Sequence, residues 1–271
     1  MLEDKIAEAM IDVGKNVADD IVRPTSKSIG ENLGLLVDGV MGWLGYWGQK
    51  QEIKRAVYLE DYKRRISEKI SDIAEEKLQE PEIRVVGPAI EASKFYIEEE
   101  KFREMFAEMV ASACRTDTAG KVHPAFPEMI KQLSLLDVQI LELFMQSGTF
   151  PCVEFYAKIE GSRIRPFPYL LIDFKDCSCS FSYEEELSFA ECVDNMIRLG
   201  LLQKNSNVLE LNFDYNKFNN HWLYEAIKKT LPENSQIHMR QFRIEPTNLG
   251  RTFIECCFNV TYFNNNKITA P

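Results

Sequence analysis

The chain has 271 residues, 45% hydrophobic and 27% charged, with 17 Phe and 10 Tyr. That is enough apolar material for one large core or two ordinary ones, and it excludes a disordered chain. The formal net charge of −10 runs through both halves: residues 1–133 hold 19 Lys/Arg against 25 Asp/Glu, and residues 134–271 hold 13 against 17. Neither half offers the broad basic surface on which non-specific nucleic-acid binding relies.

The opening "MLEDKIAEAMIDVGKNVADD" is acidic and amphipathic, with one apolar face at Leu2, Ile6, Met10, Val13, Val17 and Ile21. It lacks the basic start and apolar run of a signal peptide. No stretch reaches 18 uninterrupted apolar residues, so no standard transmembrane helix is expected. The seven cysteines, Cys114, Cys152, Cys177, Cys179, Cys192, Cys256 and Cys257, are odd in number and irregular in spacing. They fit a reducing cytosol rather than a disulfide framework, and the expected location is cytoplasmic.

After Pro24 comes "LGLLVDGVMGWLGYWG", Leu33 to Gly48. On a helical wheel Leu33, Leu36, Val37, Val40, Met41, Trp43, Leu44 and Trp47 share one broad side, and Gly34, Asp38, Gly39, Gly42 and Gly45 lie opposite. Each interior glycine costs a helix about 1 kcal/mol relative to alanine. Two things could offset that. A second helix could approach the small face, for which Gly30, Gly34, Gly42 and Gly45 are the close-packing candidates. Alternatively the bulky side is buried, in the protein's own core, in a membrane interface or in a partner; Leu36, Val40, Trp43, Leu44 and Trp47 are the candidates for the last two. Sixteen residues make a helix of roughly 24 Å, short of a hydrocarbon core of about 30 Å, which suits an interfacial or re-entrant segment better than a lone span.

Gln49–Glu80 is expected as one long charged helix, stopped by Pro81. Its stripe, Leu59, Tyr62, Ile66, Ile70 and Ile73, resembles a short coiled-coil seam and is the candidate self-association element. Residues 88–115 are expected as a further helix, with "RTDTAGKVHP" a loop after it. In the second half, Ser134 caps a helix that stops at Gly148. "PCVEFYAKIEGSRIRPFPYLLIDF" suits short strands or an irregular insertion. A helix then runs to a Leu-Gly-Leu-Leu turn. It is followed by a strand at "NVLELNF", a helix at "NKFNNHWLYEAIKKTL", a strand at "IHMRQFRI" and a short helix at "TNLGRTFIECC"; the remainder is expected as a tail.

The expected fold is therefore mainly α with a smaller α+β part. An N-terminal helical bundle (1–122) is followed by a winged-helix-like domain (123–258) and a tail (259–271), with the boundary in the 116–133 stretch.

No motif carries a reaction. There is no phosphate loop and no dinucleotide-binding glycine turn. The Cys177/Cys179 and Cys256/Cys257 pairs lack the two-residue spacing of a zinc chelate. His123 before Pro124 suits a backbone hydrogen bond, and His221 and His238 have no nucleophile motif nearby. The runs "IEEEKF" and "YEEEL" suit exposed faces better than paired catalytic carboxylates. No metal, cofactor or catalytic residue is expected. A DNA-reading helix would have to be Tyr183–Leu199, whose Glu184, Glu185, Glu186, Glu191 and Asp194 face Arg198 alone, an arrangement that phosphate repels. The basic cluster Lys50, Lys54, Arg55, Lys63, Arg64, Arg65 is interleaved with Glu52, Glu60 and Asp61, as solvated helices usually are.

Three stretches, "RVVGPAIEASKFYIEEEKFREMFAEMVASAC", "VHPAFPEMIKQLSLLDVQILELF" and "IEPTNLGRTFIECC", together resemble the bacterial abortive-infection alpha (Abi-alpha) family and its sister families of phage-defence proteins. The resemblance covers roughly residues 80–257. It implies a role in phage defence and brings no established catalytic residues. The expected function is accordingly non-enzymatic defence through protein–protein contacts, with a second copy or a companion defence protein as partner. The Gly/Trp-rich helix adds membrane association and recruitment to the inner membrane to that expectation; nucleic acid is not an expected partner. The rival is a winged-helix DNA-binding or DNA-sensing regulator. A third, an unrecognised nuclease or hydrolase, would need carboxylates or histidines that only the fold brings together.

Overall fold

The structure, a computed structural model, describes residues 25–41, 49–158, 164–174, 181–210 and 213–258. In chain order the helices are α1 (Ser26–Met41), α2 (Gln49–Ser71), α3 (Ile83–Ser93), α4 (Glu100–Ala113), α5 (Phe126–Ile130), α6 (Leu135–Ser147), α7 (Tyr183–Arg198), α8 (Trp222–Lys229) and α9 (Asn248–Phe258). The strands are β1 (Phe150–Lys158), β2 (Ile164–Ile172), β3 (Leu202–Asn205) and β4 (Gln236–Pro246), in one antiparallel sheet of order β2-β1-β4-β3. The molecule is mainly α with a smaller α+β part, as composition and periodicity imply. The winged-helix-like arrangement expected for the second part is not confirmed.

α1 starts where Thr25 and Ser28 exchange side-chain-to-backbone hydrogen bonds of 3.1 and 3.2 Å, satisfying two otherwise orphaned N–H groups. Ile29, Leu33 and Val37, four residues apart, form its inward face. α2 ends at Ser71 rather than at the expected Glu80. The reason is tertiary: Gln79 N–H donates to Cys114 O at 2.9 Å and Thr116 N–H to Lys77 O at 2.9 Å, so residues 77–79 are drawn out along the end of α4. The expected helix 88–115 is two helices. α3 begins five residues before Pro88 and carries that proline in its interior, where one helical hydrogen bond is forgone. α4 is the central element, buried at Phe102, Arg103 and every residue from Met105 to Ala113. It packs against α2, α3, α5 and α9, and Ala107, Ala111 and Ala113 keep its girth small enough for them.

The stretch expected as short strands or an irregular insertion is a hairpin of two nine-residue strands. β2 is an edge strand that contains Pro166 and Pro168 and bulges where the register shifts opposite Phe155, the setting in which a sheet tolerates proline. The strand expected at "NVLELNF" lies earlier, at β3. α7 closes with Gly200 at φ +74°, where Leu201 N–H reaches Met196 O and Gly200 N–H reaches Ile197 O. This left-handed turn sends the chain straight into the strand. Asn205 Oδ1 then accepts from Asn207 and Val208 N–H and turns the chain away. The helix expected from Asn216 is likewise split, into a 3-10 segment (Tyr215–Asn220) and α8, because His221 takes an extended conformation and caps α8.

The sheet is covered on both faces. Phe150, Cys152, Leu170, Phe242 and Ile244 belong to a large core shared with the helices, which extends from Ile29 to Cys257. Val153, Phe155 and Leu171 point the other way into a smaller core closed by Tyr215, Phe218, Leu223 and Ile227. The alternation along β1 is the period of a strand buried on both sides. The 116–133 stretch holds a 3-10 turn (Ala119–Lys121) and α5, and the large core draws residues from either side of it.

Candidate functional site

The glycine-rich stretch is described only through Met41, so Gly42, Trp43, Leu44, Gly45 and Trp47 lie outside the described residues. Leu36 and Val40 are half-buried against the large core. A side-chain carbon on Gly30 would meet Ser67 Oγ of α2 at 3.6 Å, so Gly30 sits at the α1–α2 contact. At Gly34, beyond its chain neighbours and the backbone of its own helix, no described atom lies within 4 Å of the position a side-chain carbon would take, and the same holds for Gly39. The inward face of α1 is Ile29-Leu33-Val37, and Gly34 is turned about 100° from Leu33. The stripe also points inward: Tyr62, Ile66 and Ile70 of α2 and Ile73 just beyond its end are buried, and Leu59 is half-buried in the same core. These side chains are occupied within the chain rather than forming an open seam.

Beside that stripe, α2 and α4 are joined by a lattice of ion pairs. Arg65 reaches Asp61 at 2.8 Å, Glu104 at 2.6 Å and Glu100 at 2.8 Å. Lys69 reaches Glu104 at 2.5 Å and the buried Glu108 at 2.8 Å. Arg103 joins Asp61 at 3.1 Å, donates to Ile97 O and lies over the Tyr58 ring. Lys63 pairs with Asp38 of α1. Burial pushes the Asp61 carboxyl upward, but hydrogen bonds from Arg65, Arg64 and Arg103 outweigh it and hold the group below its ordinary value. Glu104 behaves alike, with Lys69 and Arg65 overcoming the desolvation. Lys63, Arg64 and Arg65, half of the basic cluster, are thus engaged by carboxylates.

The second feature is the corner between α7 and α8. Ser182 caps α7 through a reciprocal pair with Glu185. Glu186, one residue on, accepts from Trp222 Nε1–H at 2.5 Å, and the same oxygen lies 3.5 Å from His221 Nε2. The Tyr183 ring stands edge-on to Trp222 at 5.0 Å. His221 Nδ1 accepts from Leu223 N–H at 3.3 Å, which puts the ring proton on Nε2 toward Glu186. Burial lowers the His221 pKa, with Glu186 opposing, so the imidazole is neutral at pH 7. Around this corner the outer face of α7 leaves Tyr183 66% and Leu187 38% exposed, and Glu184, Glu191 and Asp194 are exposed beside them. Sequence reasoning found the acidic face but missed the two apolar side chains on it. Their spacing of four residues was the available signal.

The remaining candidates are dispersed. His123 Nδ1 accepts from Ala125 N–H at 3.1 Å, the backbone role expected of it. His238 stacks on Tyr156 at 5.3 Å. Cys256 and Cys257 are buried, and burial pushes the Cys256 thiol up to about 12 and Cys257 well above its ordinary value; Cys177 and Cys179 lie outside the described residues. Among the described residues no group of three or more His, Cys, Asp or Glu could hold a metal ion, and no helix is long and apolar enough to cross a membrane.

In the third of the family-like stretches, Thr247 and Gly250 stand three residues apart for a physical reason. Thr247 Oγ1 accepts from Gly250 N–H at 2.9 Å and donates to Gly200 O at 2.5 Å, while Thr247 N–H donates to Leu201 O at 3.0 Å. One threonine therefore caps α9 and ties it to the turn after α7. In the second of the three stretches, Ser134 and Asp137 likewise form a capping box at the start of α6. The chain matches the family model described as abortive infection alpha over residues 54–257. It belongs to that family. No curated protein and no solved structure matches it.

Proposed function

We propose that the chain serves abortive-infection defence against phage as a cytoplasmic contact protein without chemistry of its own, working through association with a second copy or a companion defence protein. The family supplies the defence role. The observation that carries the contact reading is the outer face of α7, where exposed Tyr183 and Leu187 sit among Glu184, Glu191 and Asp194. Apolar anchors in a charged rim are the anatomy of a protein–protein surface, and a rim of this sign repels the phosphate that a DNA-reading helix must approach. Phage plating on cells carrying wild type or a Tyr183→Ala/Leu187→Ser variant tests this. Protection should fall in the variant while the chain stays folded, its thermal midpoint lowered by no more than the lost Tyr183–Trp222 edge contact; undiminished protection removes α7 as the contact surface.

Membrane recruitment belongs to the same proposal and rests on the Gly/Trp-rich composition of residues 33–48. Flotation with anionic vesicles decides it. Wild type should float and a Trp43→Glu/Trp47→Glu variant should remain below; both remaining below removes the membrane step.

A further inference from the structure

The stretch "IEPTNLGRTFIECC" has two faces once folded. Gly250, Phe253, Ile254, Cys256 and Cys257 of α9 are buried. Its other side chains, Asn248, Arg251, Thr252 and Glu255, form one wall of a cleft of about 530 Å³, whose other wall is Ser147, Gly148 and Thr149 at the end of α6. That size is within the range of small-ligand sites. Every residue lining the cleft is polar or glycine, so an acyl chain or an aromatic base would find no apolar side chain to lie against.

The bonds already made around the cleft decide what it can take. Arg251 is exposed, its Nε–H donates to Pro246 O at 3.4 Å, and no described carboxylate pairs with it. Both terminal amino groups of its guanidinium are therefore free for an anion. Glu255 is paired with Lys121 at 2.5 Å, which offsets its repulsion of one. The Thr252 hydroxyl donates its proton to Asn248 O at 3.0 Å, and the Thr149 hydroxyl donates to Glu210, which does not line the cleft, at 2.9 Å. Both threonine oxygens are thereby left as acceptors. No described group bonds the Asn248 side-chain amide or the Ser147 hydroxyl. A cationic fork at one point is thus surrounded by acceptors for hydroxyl groups.

We infer that this cleft binds a small phosphorylated polyol. The Arg251 fork takes two phosphate oxygens in the bidentate manner. Asn248, three residues earlier on the same side of α9, donates through its amide to a third oxygen, which a phosphate has and a carboxylate lacks. The Thr149 and Thr252 oxygens accept from the hydroxyl groups of the polyol, and Ser147 either accepts or donates. The site goes beyond the contact reading of the protein and does not depend on it.

Titration calorimetry on the full chain tests it, with glucose 6-phosphate, inorganic phosphate, gluconate, glucose and adenosine monophosphate as probes. Glucose 6-phosphate should bind most tightly, inorganic phosphate more weakly, and glucose alone not measurably. Arg251→Gln should weaken glucose 6-phosphate binding at least about tenfold, while its thermal unfolding without ligand stays that of wild type because Arg251 is exposed. Arg251→Lys, which keeps the charge but not the fork, should fall between the two. Lys228→Gln, an exposed cation on α8, should bind like wild type. No heat from either phosphate probe at about 10 mM, or an Arg251→Gln chain that binds like wild type, overturns the inference. Gluconate binding as tightly as glucose 6-phosphate overturns the phosphate assignment, and adenosine monophosphate binding more tightly overturns the polyol. Phage protection enters none of these readouts, so failure here is distinguishable from failure of the α7 contact.

Discussion

A side-chain carbon on Gly250 would lie 1.9 Å from the carbonyl oxygen of Leu201. The first turn of α9 rests directly on the backbone that follows α7, and no side chain is present to yield. Gly250→Ala must therefore push the helix off the turn, breaking the Thr247 bonds to Gly200 and Leu201 on the way. The expected cost is about 3 kcal/mol, at the upper end of overpacking penalties because backbone rather than side chain must move. Urea unfolding of the variant against wild type measures it.

The opposite outcome is expected on α1. Gly34 and Gly39 have open space where a methyl group would go and sit inside a helix. Gly34→Ala and Gly39→Ala should each stabilise the chain by up to about 1 kcal/mol. Phage plating of the same variants adds a functional readout: protection that falls while stability rises would mean that the bare positions serve an external contact.

The ion-pair lattice makes stability fall in acid. Asp61 and Glu104 are held below their ordinary values of 3.8 and 4.5 in the folded chain, so the unfolded chain takes up protons first as pH drops. Their contribution is fully present above those ordinary values and is lost as pH falls through them toward the folded ones. The urea midpoint of wild type should therefore decline from about pH 5 to about pH 3. Arg65→Met removes one guanidinium from both carboxylates; it should cost about 2 kcal/mol at neutral pH and flatten that decline. An equally steep decline in the variant would place the acid sensitivity elsewhere.

Tyr62 is wholly buried between α2 and its neighbours, and its hydroxyl lies near Ser93 without a hydrogen bond, the Ser93 hydroxyl donating instead to Ile90 O at 2.8 Å. Burial pushes the phenol's ionisation upward. Tyr62→Phe should change stability by less than about 1 kcal/mol, with a gain more expected than a loss, whereas Tyr62→Ala should lose about 4 kcal/mol through the cavity it opens. Thermal unfolding of the two variants separates packing from polarity at this site.

Local signals carried much of this architecture. Ser134 and Gly148 mark the two ends of α6, and the Leu-Gly-Leu-Leu turn marks the end of α7, because caps act through residues only a few positions apart. The spacing of Tyr62, Ile66 and Ile70 announced a buried face but not what buries it, since a seam between copies and a core within one chain share that periodicity. The end of α2 was illegible because the bonds that draw out Lys77–Gln79 come from Cys114 and Thr116, distant in sequence. The hairpin at 150–172 was hidden by its own prolines, which read as breakers until the strand carrying them is known to be an edge. Tyr183 and Leu187 were overlooked for a related reason: a helix dominated by glutamates reads as solvated, and only exposure separates an anchor from a core residue.

Pro166 and Pro168 bear on how this protein can be multiplied. An incoming strand would need amide donors along the rim of the sheet, and at β2 two neighbouring sites offer none. The β2 rim is therefore a poor template for an added strand, because proline leaves gaps in the ladder of bonds by which one sheet extends into another.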